Sequence, residues 1–234
     1  MSATEYNEKT NPRERAVFAF FRNVGMSPDY DFWIRTSDNF QLINEGRQDS
    51  YVLNEILRLG RGYSAYDEKL DLLELSINVL VKYIPETETD KPRITFAFFD
   101  SDEAYVPTFS YAYGEDVISL IIDKLARFSD VKLGDQQNQK VLSKIPFEGD
   151  FFNAKLTVRV RVKSANYKKP VIVDKIKQWI MIGDIAYLKC EVEGRMGYKQ
   201  MLWDYVAPWH EDLFEKQKQS DELKYPHPYD LFKD

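Results

Sequence analysis

Lys155, Arg159, Arg161, Lys163, Lys168 and Lys169 place six cationic side chains within fifteen residues. From Lys155 to Lys163, Leu156, Val158, Val160 and Val162 alternate with Thr157, Arg159, Arg161 and Lys163. That is the period of a strand with one face on a core. Arginines two apart on a strand point the same way and can grip a phosphate through paired hydrogen bonds. Arg159, Arg161, Lys163 and Lys168 are therefore the candidate contacts for phosphate or a bound nucleotide. The plainer reading is the solvated face of an edge strand, where charge blocks unwanted pairing. A net charge of −6 favours the plainer reading and makes nucleic acid an unexpected partner.

Other groups offer less. Asp100, Asp102 and Glu103 follow an apolar run, where acidic loops can bind metal or act as general acids. Such clusters, like Glu86, Glu88 and Asp90, are more often polar turns. His210 and His227 are the only histidines and neither has a ligand-spaced companion. Cys190 is the sole cysteine, which excludes an internal disulfide and any multi-cysteine zinc site and suits a small core residue. Gly60-Arg61-Gly62 is too short to cradle a phosphate, and no nucleophile elbow, kinase set or zinc-protease motif occurs. The expectation is a protein that is not an enzyme and carries neither catalytic residues nor a metal.

The surplus is aromatic: 15 Tyr, 15 Phe and 4 Trp in 234 residues. A tyrosine ring buries much area while its hydroxyl still finds a partner, which suits contact surfaces as well as cores. Tyr6, Tyr63, Tyr66, Tyr105, Tyr111, Tyr113, Tyr225 and Tyr229 are the candidates for contacts between copies. The start of the chain is polar, unlike a secretory signal, and no run approaches the ~20 apolar residues of a membrane helix, so no membrane partner is expected.

The elements that would position these groups come from hydrophobic period. Strands are expected at 15–23, 30–36 and 39–44, and a helix at 50–59 ended by Gly60 and Gly62. Leu73–Tyr83 alternates clearly and Arg93–Phe99 is apolar on both faces, so both read as strands. Helical spacing returns over 114–129, strand over 155–163, and strand followed by helix over 171–190. The sum is α+β: a mostly antiparallel β-sandwich flanked by a few helices. Residues 1–14 form a protruding N-terminal arm or helix, 15–206 one domain, and 207–234 an extended C-terminal arm.

In order along the chain, residues 10 to 100 resemble the cypovirus polyhedrins. The resemblance is carried by the polar N-terminal arm, Ala16-Val-Phe-Ala-Phe-Phe21, Phe32-Trp-Ile-Arg35 and Phe40-Gln-Leu-Ile-Asn44. It continues through Tyr51–Gly60, Gly62-Tyr-Ser-Ala-Tyr-Asp-Glu68 and Lys91-Pro-Arg-Ile-Thr-Phe-Ala-Phe-Phe99. It implies a β-sandwich whose N-terminal arm reaches into neighbouring molecules. Trimers would pack into crystalline occlusion bodies in the host cell cytoplasm, embed virus particles, and release them in alkali. Some members carry nucleotides, but no motif here matches a nucleotide site. Tyrosine and lysine titrate near ~10 in model peptides, so alkali would add negative charge and strip positive charge from such a lattice. The competing expectations are a viral matrix or nucleic-acid-associated protein using the 155–169 strand, an enzyme using Asp100, Asp102 or Glu103, and an adaptor binding through tyrosine surfaces.

Overall fold

The computed structural model describes residues 11–67, 72–97, 108–143, 151–193 and 199–224. Helices come first: α1 (Pro12–Val24), α2 (Tyr30–Arg35), α3 (Asp38–Gln41) and α4 (Gln48–Ala65). Strands follow: β1 (Leu73–Ile84), β2 (Arg93–Ala97), β3 (Thr108–Tyr113), β4 (Asp116–Ile122) and β5 (Asp130–Lys132). Helix α5 (Asp135–Leu142) precedes the long strands β6 (Phe151–Val173) and β7 (Ile176–Glu193), then β8 (Lys199–Val206) and helix α6 (Glu211–Lys224).

The strands form one eight-stranded sheet in the order β3-β4-β7-β6-β1-β2-β5, with β8 also paired to β7. All pairings are antiparallel except β4 with β7. The α+β, mostly antiparallel class expected from the sequence is thus present. Cross-strand rows build its core: Ile77, Leu156, Cys190 and Trp203 are successive partners, as are Leu75, Val158, Leu188 and Tyr205. Trp203 on β8 lies 6.1 Å from Phe96 on β2, although three strands separate β8 from β2 in the sheet. Flat strands spaced ~4.8 Å apart would keep those two far out of contact, so the sheet curls over itself. Phe128 fills the curl, 4.7 Å from Tyr205 and 5.9 Å from Trp203.

The first three expected strands are helices. Ala16–Phe21 lies within α1, and all six side chains are buried, so this helix is enclosed on every side. A run apolar on all faces reads equally as buried strand or buried helix. The ends decide. Asn11 Oδ1 accepts from Arg13 N at 2.9 Å, Pro12 occupies the first turn, and Gly25 closes the helix at φ 70°. Asp29 caps α2 by accepting from Phe32 N, and Ser37 caps α3 by accepting from Phe40 N.

The expected 50–59 helix is real but runs from 48 to 65, through Gly60 and Gly62 rather than stopping there. The helical reading of 114–129 is replaced by β4 and a short 3-10 turn at Leu125–Phe128. The 171–190 strand-then-helix becomes the end of β6 and most of β7, joined at Asp174 and Lys175, both left-handed. Pairing across sequence-distant strands overrides local period there. Within the expected extended C-terminal arm, 211–224 is helical. Of the N-terminal arm, 1–10 lie outside the described residues, and 12–14 begin α1.

The β3–β4 turn joins the sheet to the helices. Gly114 has φ +62°, and a Cβ there would collide with Thr36 Oγ1 and approach Phe32. Thr36 Oγ1 in turn accepts from Glu115 N at 3.1 Å. Gly114→Ala is expected to destabilise the fold by at least about 1 kcal/mol, combining left-handed strain with that collision. Urea unfolding followed by circular dichroism would read it as a lowered midpoint.

Candidate functional site

Strand β6 does carry Arg159, Arg161 and Lys163, but neighbouring elements supply partners. Arg159 Nε donates to Glu74 Oε2 on β1 at 2.7 Å, and its guanidinium lies 5.8 Å from the Tyr187 ring. Arg161 stacks over Trp209, 4.0 Å from the ring centre. Lys163 Nζ donates to Asp123 at 2.6 Å and to Asp184 at 3.0 Å. Hydrogen bonding to Asp123 and then Asp184 raises the Lys163 pKa, and the Lys163 hydrogen bond holds the Asp123 carboxyl below its usual range. Lys168 lies apart on the exposed hairpin, its backbone N–H bonded to Asn166 Oδ1. Three of the four candidate phosphate contacts are therefore engaged by carboxylates or an indole. An incoming phosphate would compete with Glu74 at Arg159 and with Asp123 and Asp184 at Lys163, all half-exposed pairs.

This strand meets the C-terminal segment in an aromatic cap. Tyr187 lies 4.9 Å from Phe214, and His210 sits between Trp209 and Phe214. His210 is buried, and neither ring nitrogen has a hydrogen-bond partner. Burial first, then the charges of Arg159 and Arg161, lowers its pKa. It packs in the interior. His227 lies outside the described residues, as do Asp100, Asp102 and Glu103.

The tyrosines divide in the same way. Tyr6, Tyr105, Tyr225 and Tyr229 lie outside the described residues. Tyr66 and Tyr113 are buried in the chain's own core, and Tyr63 and Tyr111 are half-buried against it. Phe18 gathers Trp33, Tyr63 and Tyr66 around it. Tyr113 contacts Phe21, Phe32 and Trp33 at 5.1 to 5.6 Å. The Tyr113 hydroxyl accepts from Asp29 N at 2.8 Å and donates to Asp29 O at 3.2 Å. Burial raises its pKa, and burial pushes Tyr111 up to about 12. Tyr113 of β3 thus joins the sheet to the helical layer, while Tyr63 and Tyr66 pack within that layer on Phe18 of α1.

Glu86, Glu88 and Asp90 are exposed around a turn in which Thr87 N donates to Asp90 O. Among the described residues no three His, Cys, Asp or Glu side chains are grouped to hold a metal ion. Cys190 is fully buried and its thiol is pushed up to about 12 by desolvation, which opposes thiolate chemistry. An open cleft between α1, α2 and α4 includes Arg58, which bridges Glu14 and Glu55. Among the described residues no helix is long and apolar enough to cross a membrane.

The sequence reading passed over one surface. Val171, Ile172, Val173 and Ile176 stand exposed at the far end of the β6–β7 hairpin. The run Val-Ile-Val followed by Asp-Lys was legible as an apolar strand meeting a turn, but not that nothing would cover it.

No family model, no curated protein and no solved structure matches this chain.

Because His210 is folded in its neutral form, the unfolded chain takes up its proton first as pH falls. Its contribution to stability is fully present above the ordinary histidine value near ~6.5 and fades below it. Wild type is expected to lose stability between pH 7 and pH 5, and His210→Phe to lose less. Denaturant unfolding at both pH values would show equal losses if the imidazole is irrelevant.

Proposed function

We propose that the chain is a viral structural protein that assembles with itself into intracellular crystalline bodies embedding virus particles and dissolving in alkali, as the cypovirus polyhedrins do. The observation that carries this reading is the uncovered apolar surface on the β6–β7 hairpin. Val171 is 50% exposed, Ile172 68%, Val173 43% and Ile176 43%. Contiguous apolar side chains left in water mark an interaction surface rather than a stable exterior. The resemblance over residues 10–100 supplies the kind of assembly.

The runner-up, a nucleic-acid-associated structural protein, loses support from the engagement of Arg159, Arg161 and Lys163 within the chain. It predicts retention of the protein on a polyanion with a steep salt slope.

Alkali acts on this reading in a way the sequence did not suggest. Ionisable tyrosines were expected between copies, whereas Tyr111 and Tyr113 sit within the fold. Both are held neutral by burial. Unfolded tyrosine ionises near ~10, so the stability these rings contribute is complete below that pH and is lost as pH rises through the folded value. Strong alkali would therefore loosen each copy as well as repel it from its neighbours.

Expression in insect cells followed by light microscopy is expected to show faceted particles that persist at pH 7 and dissolve at pH 11. Particles equally soluble at both would refute the alkaline mechanism, and a protein monomeric at high concentration would refute the assembly. Tyr111→Phe is expected to raise the pH of alkaline unfolding, retaining roughly 2 kcal/mol that wild type loses by pH 12. Fluorescence-monitored pH titration of both proteins checks this.

A further inference from the structure

Strand β8 ends at Val206, opposite Tyr187 on β7, and Ala207 N donates to Ala186 O at 2.9 Å. That bond fixes the chain as far as Ala207. Pro208–His210 then form a 3-10 turn that leads directly into α6. Within this turn Pro208 and Trp209 are exposed, whereas His210 is buried at 2% exposure. Its ring lies 5.4 Å from Trp209 and 6.3 Å from Phe214.

Little else holds α6. Phe214 rests against Tyr187, 4.9 Å away, and Leu213 is half-buried. Among the described residues, no side-chain hydrogen bond or ion pair joins α6 to the sheet. A helix of 14 residues is marginal in water without packing, so α6 depends on this small contact. An element held in this way can open while the sheet stays folded.

The contact suits only an uncharged imidazole. Neither ring nitrogen has a hydrogen-bond partner. A neutral ring leaves one N–H unsatisfied there, whereas a protonated ring would leave two and bury a charge. Strand β6 brings Arg159 and Arg161 to bear on it, and both are cations. Strand β7 contributes the Tyr187 ring, opposite Arg159 in register. On α6, Glu211, Asp212, Glu215 and Lys216 are exposed, and no carboxylate is bonded to the imidazole. Glu74 is already engaged by Arg159.

We infer that His210 is a proton-sensitive latch, whose protonation releases α6 from the sheet while the sheet itself stays folded. This goes beyond the self-assembly reading and does not rest on it, because a single copy would show it. Burial, then Arg159 and Arg161, lower the His210 pKa while α6 is docked. Once the turn swings out after Ala207, the imidazole meets water and returns toward the ordinary value near ~6.5. The released state therefore binds the proton more tightly, and acid shifts the population toward it.

The test is amide hydrogen exchange on the full chain by mass spectrometry at pH 7.5 and pH 5.5, each rate divided by that of an unstructured peptide at the same pH. Wild type is expected to lose protection over 211–224 severalfold, up to the ~tenfold limit set by an imidazole that titrates near ~6.5 once released. Residues 154–160 of β6 should keep theirs. His210→Phe retains a ring without the charge and should show equal protection at both pH values; the wild-type loss in that variant overturns the latch. Loss in β6 in step with α6 would be global unfolding, and α6 unprotected already at pH 7.5 would mean that nothing docks it; either result overturns the inference. Should His210→Phe misfold, NMR titration of the His210 ring in wild type and in Phe214→Ala decides. A depressed titration in wild type that returns to the ordinary value in Phe214→Ala supports the latch, and equal titration in both overturns it.

Discussion

The pairing of β6 with β7 holds the sheet together. Strand β1 hangs on β6, β4 and β8 hang on β7, and β2, β3 and β5 attach through those neighbours. Because β7 carries β4 at one end and β8 at the other, one long strand serves two branches of the sheet. Register shifts at Arg159/Val160, at Val162/Ser164 and between Asn166 and Val171 interrupt the ladder. Bulges of this kind increase local twist and bend the strand. That bending accompanies the curl that brings Trp203 to Phe96, with the partly buried Phe128 beside them. The length of the same hairpin is also what carries its tip past every neighbour among the described residues.

Charge follows from this geometry. Glu74 comes to Arg159 from β1, directly opposite in register, and Asp184 comes to Lys163 from β7. Asp123, just past the end of β4, completes the Lys163 site. Trp209 covers Arg161 with a ring in place of an anion. Such half-exposed pairs contribute little stability individually. They give Arg159 and Lys163 anionic partners within the chain, while Arg161 keeps its charge beside the Trp209 ring.

The titratable interior sets limits on both sides of neutrality. His210 is neutral in a buried aromatic cap beside two arginines. Tyr111 and Tyr113 are neutral between the helices and the sheet. Each is packed in its uncharged form, so acid disfavours the fold through His210 and alkali through Tyr111 and Tyr113.

Local sequence determined the parts whose signal is self-contained. The alternations of β1 and of residues 155–163 place apolar groups on one face, and no tertiary partner is needed to see that. Helix 48–65 was visible from its apolar spacing, although glycines at 60 and 62 hid its true end because packing outweighs their helix cost. The caps at Asn11, Asp29 and Ser37 and the glycine at 25 were also in the sequence. They were the signals that would have separated helix from strand in the aromatic N-terminal third. Only the tertiary structure decided the rest. Whether Val117–Ile121 coils or extends depends on β7 lying alongside, a partner some sixty residues away. Whether Arg159 is free or paired depends on Glu74, eighty-five residues distant. Whether a tyrosine faces its own core or another copy depends on which surfaces the sheet covers when it curls. Those outcomes belong to long-range packing, which no local period encodes.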